Sequence, residues 1–171
     1  PLVPDVMLSL DVQQGADLSR KENRSYFTWL RGKPPDVVIE FVSDRRGGEA
    51  GLKQRQYARI GVPYYAIFDP RELLAGGVLR SFVLNGRKYE GLPENWFADV
   101  QLGLTLWEGP YEGQQQRWLR WRDAQGQVIP TGRERADEAR RQADEARRQA
   151  DEERQHRERL EARLRELGIE P

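Results

Sequence analysis

The 171 residues carry 28 basic and 28 acidic side chains, one histidine and no cysteine, which excludes a disulfide framework, a thiolate nucleophile and a Cys/His zinc site. A formal net charge of zero argues against the strong basic footprint of a sequence-independent DNA binder. No apolar run approaches the roughly 20 residues that span a bilayer, and no charged-then-apolar leader precedes the first apolar run, so the expectation is a cytoplasmic protein without a membrane segment.

Val6-Met7-Leu8-Ser9-Leu10, after Pro4-Asp5, is too short for a helix and reads as a buried strand. Gln13 to Lys33 reads as a loop in which Arg20-Lys21-Glu22-Asn23-Arg24 precedes Tyr26, Phe27 and Trp29, with a short strand expected over Ser25 to Leu30. Val37-Val38-Ile39-Glu40-Phe41-Val42 is the strongest strand, its β-branched run predicting burial on both faces. Glu49 to Ile60 predicts a helix stopped by Gly61, followed by the strand Tyr64-Tyr65-Ala66-Ile67-Phe68. That order is a βαβ unit with two parallel strands.

From Gly77 onward hairpins are expected: Val78 to Leu84, a type I′ turn at Asn85-Gly86, then Arg87 to Glu90. Ala98 to Trp107 alternates like a strand, and Trp118 to Trp121 is expected to pair with Val128-Ile129, the tryptophans of this appendage packing on the core edge. The tail repeats Ala136-Asp137-Glu138-Ala139-Arg140-Arg141-Gln142 with a period of seven and brings Leu160, Leu164 and Leu167 onto the alanine seam. A helix from Arg133 to Leu167 is predicted, stopped by Gly168 and supported by pairs such as Asp137 with Arg141 and Asp144 with Arg148. The division expected is one α/β domain over residues 1–130 and a charged helical tail over 131–171.

Glu40 is the most informative residue, because an ionisable side chain inside an apolar central strand is costly unless a partner or a metal ion meets it. Its alternatives are a face open to solvent or a pairing with Arg45. Lys53 falls on the inward stripe of the predicted helix with Ala50, Tyr57 and Ile60, although a surface pair with Glu49 fits the same spacing. Asp5 and Asp36 each follow a proline at the start of a strand, where aspartate is common for turn reasons alone. In combination, two carboxylates can hold Mg²⁺ through hard oxygen ligands, and a lysine can orient the nucleophile or offset phosphate charge.

Pro4-Asp5-Val6, Pro35-Asp36 through Ser43, Lys53 with Tyr57-Ala58, and Gly61-Val62-Pro63-Tyr64-Tyr65 through Asp69-Pro70 together resemble the Uma family of restriction-endonuclease-like bacterial proteins. That family is a variant of the PD-(D/E)xK nucleases in which the lysine has moved from the catalytic strand to the next helix. The resemblance covers about Pro1 to Trp121 and implies a restriction-endonuclease-like mixed central sheet with a flanking helix. It implies Asp5 and Glu40 as ligands of Mg²⁺ or Mn²⁺, Lys53 as the catalytic lysine, and Asp36 as a residue that starts its strand. Members of the family carry a further helix and strand ahead of the Pro-Asp strand, whereas four residues precede Asp5 here. The expectation is a domain lacking those two elements.

Two functions follow. One is an Mg²⁺-dependent endonuclease acting on DNA, with the basic-aromatic loop Arg20 to Lys33 and Arg45-Arg46 touching phosphate. The other is an inactive nuclease-derived scaffold that forms a homodimer, or docks a partner helix, through its coiled-coil-like tail. His156 lies in the charged repeat and is assigned no role.

Overall fold

The run Val37-Val38-Ile39 keeps at most 3% of its surface exposed, as expected of β-branched residues in the middle of a sheet covered on both sides. The computed structural model describes residues 2–13, 17, 19, 25–44 and 49–166 and divides into two compact units, Pro1–Ile129 and Pro130–Pro171. In chain order the first unit begins with β1 (Val6–Leu8), a one-turn helix α1 (Thr28–Arg31) and β2 (Val37–Phe41). A π-helical turn at Glu49–Lys53 then runs into α2 (Gln54–Ile60), followed by β3 (Tyr64–Phe68), β4 (Leu79–Asn85) and β5 (Lys88–Gly91). The unit closes with β6 (Trp96–Phe97), β7 (Leu102–Tyr111) and β8 (Gln114–Arg122).

The fold is mixed α/β. A five-stranded sheet has the order β1-β2-β3-β4-β5 and a second, three-stranded sheet the order β6-β7-β8. β2 and β3 are parallel, with Glu40 opposite Ile67, and the other pairs are antiparallel, as in Val6 opposite Ile39. The predicted βαβ unit is therefore present, and Gly61 ends its helix at φ 81°, donating its N–H to Ala58.

Side-chain alternation along β2 splits the core into two layers. Val37 and Ile39 pack with Tyr64, Ala66, Phe97, Val100 and Leu104, so the second sheet covers one face of the first. Val38 and Val42 pack with Tyr57, Val62, Tyr65 and Ile67, so α2 covers the other. Each such fully buried large side chain is worth about 1.5–3 kcal/mol. Glu40, which pairs in register with Ile67, belongs to the α2 face.

Four local expectations in the first unit are corrected. Over Ser25 to Leu30 the structure has the turn α1 in place of a strand: the amides of Leu30 and Arg31 bond to the Phe27 carbonyl, and Gly32 closes the turn at φ 77°. The hairpin turn lies one residue later than predicted: Asn85 pairs with Lys88, and Gly86 alone of the two central residues has positive φ, the pattern of a type II′ rather than a type I′ turn. Ala98–Val100 is a 3-10 turn, and Gln101 at φ 53° redirects the chain so that the strand starts at Leu102. β8 pairs along its length with β7, Trp107 facing Trp118; Val128-Ile129 meets it only through a bridge to Arg122, the bond from the Ile129 amide to the Trp121 carbonyl and the bond from the Arg120 guanidinium to the Ile129 carbonyl.

In the second unit α3 (Gly132–Glu166) begins with a reciprocal cap: Thr131 Oγ1 accepts from the Glu134 amide at 3.2 Å while Glu134 Oε2 accepts from the Thr131 amide at 2.7 Å. At 35 residues it spans about 52 Å. Arg141 pairs with Glu138 at 2.6 Å, not with Asp137 as predicted, and Arg133 takes Asp137. Leu167 and Gly168 lie outside the described residues.

Asp69, at the end of β3, has no exposed surface. Burial pushes its carboxyl up, but the amides of Leu74, Leu73 and Arg71 and the charge of Arg80 more than reverse this, leaving it below the usual aspartate range. A lowered folded pKa gives stability that is present above the unfolded pKa and lost as pH falls through the folded one. Asp69→Asn is therefore predicted to cost about 2 kcal/mol at pH 7, and the gap to wild type in thermal unfolding should narrow below about pH 4.

Candidate active site

β2 presents Glu40 toward α2 from a position where the carboxylate has no exposed surface. Both of its oxygens are met. Lys53 Nζ lies 2.7 Å from Oε2, and the Tyr57 hydroxyl donates to Oε1 at 2.7 Å. Lys53 ends the π-helical turn and Tyr57 follows four residues later in α2, the spacing that stacks two side chains on one helical face. The expectation that Lys53 points inward holds, and the alternative of a Glu40 face open to solvent gives way to bonds from Lys53 and Tyr57. Arg45 and Arg46 lie outside the described residues, as do Arg20, Lys21 and Arg24 of the basic loop.

Asp5 stands across the strand pair. Val6 is opposite Ile39, so one step further along the antiparallel register brings Asp5 opposite Glu40. Asp5 Oδ2 accepts from the Phe41 amide at 2.8 Å, fastening β1 to the end of β2. At the other end of the same pair, Asp36 Oδ2 accepts from the Leu10 amide at 2.7 Å, and Asp36 takes Lys33 Nζ on both oxygens. Asp36 thus starts and fixes its strand, away from Glu40, in agreement with its expected part.

The electrostatics follow from burial. Desolvation lifts the Glu40 carboxyl above its ordinary value, the bonds from Lys53 and Tyr57 and the lysine charge pull it back only in part, and the Asp5 charge adds to the lift. Burial, then the bond to Glu40 and the charges of Glu40 and Asp5, push the Tyr57 hydroxyl well above the usual tyrosine range. Tyr57 therefore stays neutral and acts as a fixed donor. On sequence alone Tyr57 falls on the inward stripe with no role assigned to it; its four-residue spacing from Lys53 is the available signal.

Among the described residues no group of three or more His, Cys, Asp or Glu side chains is gathered as a metal cluster. The acidic pair is Asp5 and Glu40. The four tryptophans of the second sheet are engaged elsewhere: Trp121 packs on the core, Trp107 lies under Arg120 and Trp96 under Arg122, and Trp118 Nε1 donates to the Gly109 carbonyl.

The model of the Uma2 family, described as "Putative restriction endonuclease", matches residues 2–108. The match runs from the segment before β1 into β7 and takes in Asp5, Glu40, Lys53 and Tyr57, and it covers well over half of the 171 residues. The chain belongs to the Uma2 family. Comparison with curated proteins and with solved structures gave no match.

Removing the lysine isolates a buried charge. Losing one partner of a fully buried pair costs about 3–5 kcal/mol, so with Lys53 still 32% exposed Lys53→Met is predicted to cost about 2 kcal/mol at pH 7. Because the Glu40 pKa is raised in the folded protein, its favourable contribution exists below the unfolded carboxyl pKa and is lost as pH rises through the folded value. The deficit of Lys53→Met in denaturant melts should therefore be smallest near pH 4 and grow toward neutrality.

Proposed function

We propose that the chain is a divalent-metal-dependent endonuclease that hydrolyses DNA phosphodiester bonds, using Mg²⁺ or Mn²⁺, with Asp5 and Glu40 as metal ligands and Lys53 as the catalytic lysine. The observation that carries this reading is the fully buried Glu40 carboxylate, bonded by Lys53 from the next helical segment and opposite Asp5. The family match supports the reaction class.

The donor set fits such an ion. Mg²⁺ takes hard oxygen ligands and is commonly held by one or two carboxylates, with water and substrate phosphate completing its shell. Asp5 already raises Glu40 by repulsion, and a cation between two carboxylates relieves that cost. When bound, the metal supplies Lewis-acid polarisation of the phosphodiester and an acidified water. The chain's own groups do the remaining work. Tyr57 holds Oε1 of Glu40 with a neutral hydroxyl, so the carboxylate keeps its orientation when Oε2 changes partner. Lys53, partly exposed, is the cation able to turn from Glu40 to a phosphate oxygen or to orient the attacking water. The absence of cysteine from the sequence fits a reducing cytoplasm, and no helix among the described residues is long and apolar enough to cross a membrane.

Calorimetric titration with Mg²⁺ and Mn²⁺, together with plasmid nicking on the same samples, tests this. Wild type should bind metal and nick, and Glu40→Ala should lose both, with nicking reduced by at least about a hundredfold. A folded wild type that binds neither ion overturns the reading.

A second reading, a scaffold that dimerises through α3, draws on one observation: α3 has no buried residue, and Leu160 on its seam is 52% exposed. Alanine positions bury little area, so Leu160 and Leu164 would carry the contact. Light scattering of the full chain should then give a dimer that Leu160→Ala/Leu164→Ala converts to monomer; a monomeric wild type removes this reading.

A further inference from the structure

A cleft beside the carboxylate pair has a chemistry that phosphodiester hydrolysis does not itself require. It has a volume of about 690 Å³ and is lined by Asp5 and Met7 of the β1 segment, Tyr57 of α2, and Tyr26, Phe27 and Trp29 around the start of α1. That volume lies within the range of small-molecule sites. The Phe27 and Trp29 rings stand 4.7 Å apart at a 30° tilt, and Trp29 is 79% exposed. Tyr26 is fixed, its hydroxyl 2.9 Å from Ser9 Oγ and 3.1 Å from the Lys33 carbonyl.

Among the described residues lining the cleft there is no lysine or arginine, and the ionisable acid at its border is Asp5. Among the described residues such a wall offers a phosphate no cation to bind. It suits a flat, uncharged aromatic group that stacks on a ring and offers N–H donors to a carboxylate, which is the chemistry of a nucleobase. Asp5 and Tyr57 line the cleft and also border Glu40, so a base seated there brings its adjoining phosphate to the carboxylate pair. In a duplex both base faces are already stacked, and such a seat is reached only by an unpaired base or one turned out of the helix.

Resting on the nuclease reading above, we infer that this cleft receives an unpaired nucleobase next to the scissile phosphate. The substrate is then single-stranded DNA, or a duplex that already carries an unpaired base, and a perfect duplex is the poorer substrate. Trp29 is the stacking residue and acts on substrate choice, not on metal binding.

The test uses the full-length chain, a short fluorescein-labelled single strand, and the matching perfect duplex. Binding is followed by anisotropy without metal, and cleavage of both by wild type is followed with Mg²⁺. Wild type should bind and cut the single strand at least about tenfold better than the duplex, Trp29→Ala should lose about tenfold in single-strand affinity, and Trp29→Phe should keep most of it. Equal handling of strand and duplex by an active wild type overturns the base cleft and leaves the nuclease reading standing. So does a Trp29→Ala variant, folded by its thermal melt, that matches wild type on the single strand. Should Trp29→Ala fail to fold, the wild-type ratio of strand to duplex decides. If wild type neither binds nor cuts either form, the nuclease reading falls and the cleft inference falls with it.

Discussion

Burying the Glu40 carboxylate in the centre of a sheet costs several kcal/mol, and that cost organises what surrounds it. A buried ion needs hydrogen bonds to each oxygen, and the π-helical turn and α2 that follows it bring both: Lys53 to Oε2 and Tyr57 to Oε1, each at 2.7 Å. The helix that covers the second core layer is thereby held in register with β2 by a polar contact as well as by Tyr57 and Val62 packing. Glu40 nevertheless sits above its ordinary pKa, chiefly because burial strips its carboxylate of water, with the Asp5 charge adding a smaller lift. A buried carboxylate perturbed in this way is a feature enriched at functional sites, which is the observation behind the proposed role of Glu40.

The same economy appears in the two aspartates of the β1–β2 pair. β1 has three residues and lies at the edge of the sheet, so few ladder bonds hold it. Asp5 fastens one end through the Phe41 amide and Asp36 the other through the Leu10 amide. Only Asp5 faces Glu40, and it therefore has two tasks: a latch for the strand through Oδ2, and the second acid of the proposed site. Any substitution of Asp5 consequently reports on strand attachment as well as on chemistry, whereas Glu40 is the cleaner probe.

Where pattern alone determines structure, the sequence was legible. Val37 to Phe41 and Tyr64 to Phe68 are runs of β-branched and aromatic residues broken only by Glu40 and Ala66, and the helix between them ends at a glycine; all three elements and their parallel pairing are present. Glu40 and Lys53 stood out because each breaks an apolar stripe. The failures are local. Gly32 as a helix stop outweighs the strand character of Tyr26 to Leu30, and Asn-Gly can be read in two turn registers that differ by one residue. β8 hid its pairing because Gln114 to Gln116 have no alternation, so its register depends on the Glu112-Gly113 turn and on Trp107 meeting Trp118. The cleft was not visible at all, since it joins β1, α1 and α2 across segments remote in sequence and carries no spacing signal.

Carbon-detected NMR of the side-chain carboxyls in full-length protein, titrated with Mn²⁺ at substoichiometric levels, addresses the central claim without relying on turnover. Paramagnetic broadening should strike the carboxyl signals of Glu40 and Asp5 first and together, and excess Mg²⁺ should restore them. Broadening confined to surface carboxyls, such as those along α3, with Glu40 and Asp5 still sharp, would contradict the assignment of this buried pair as the metal site.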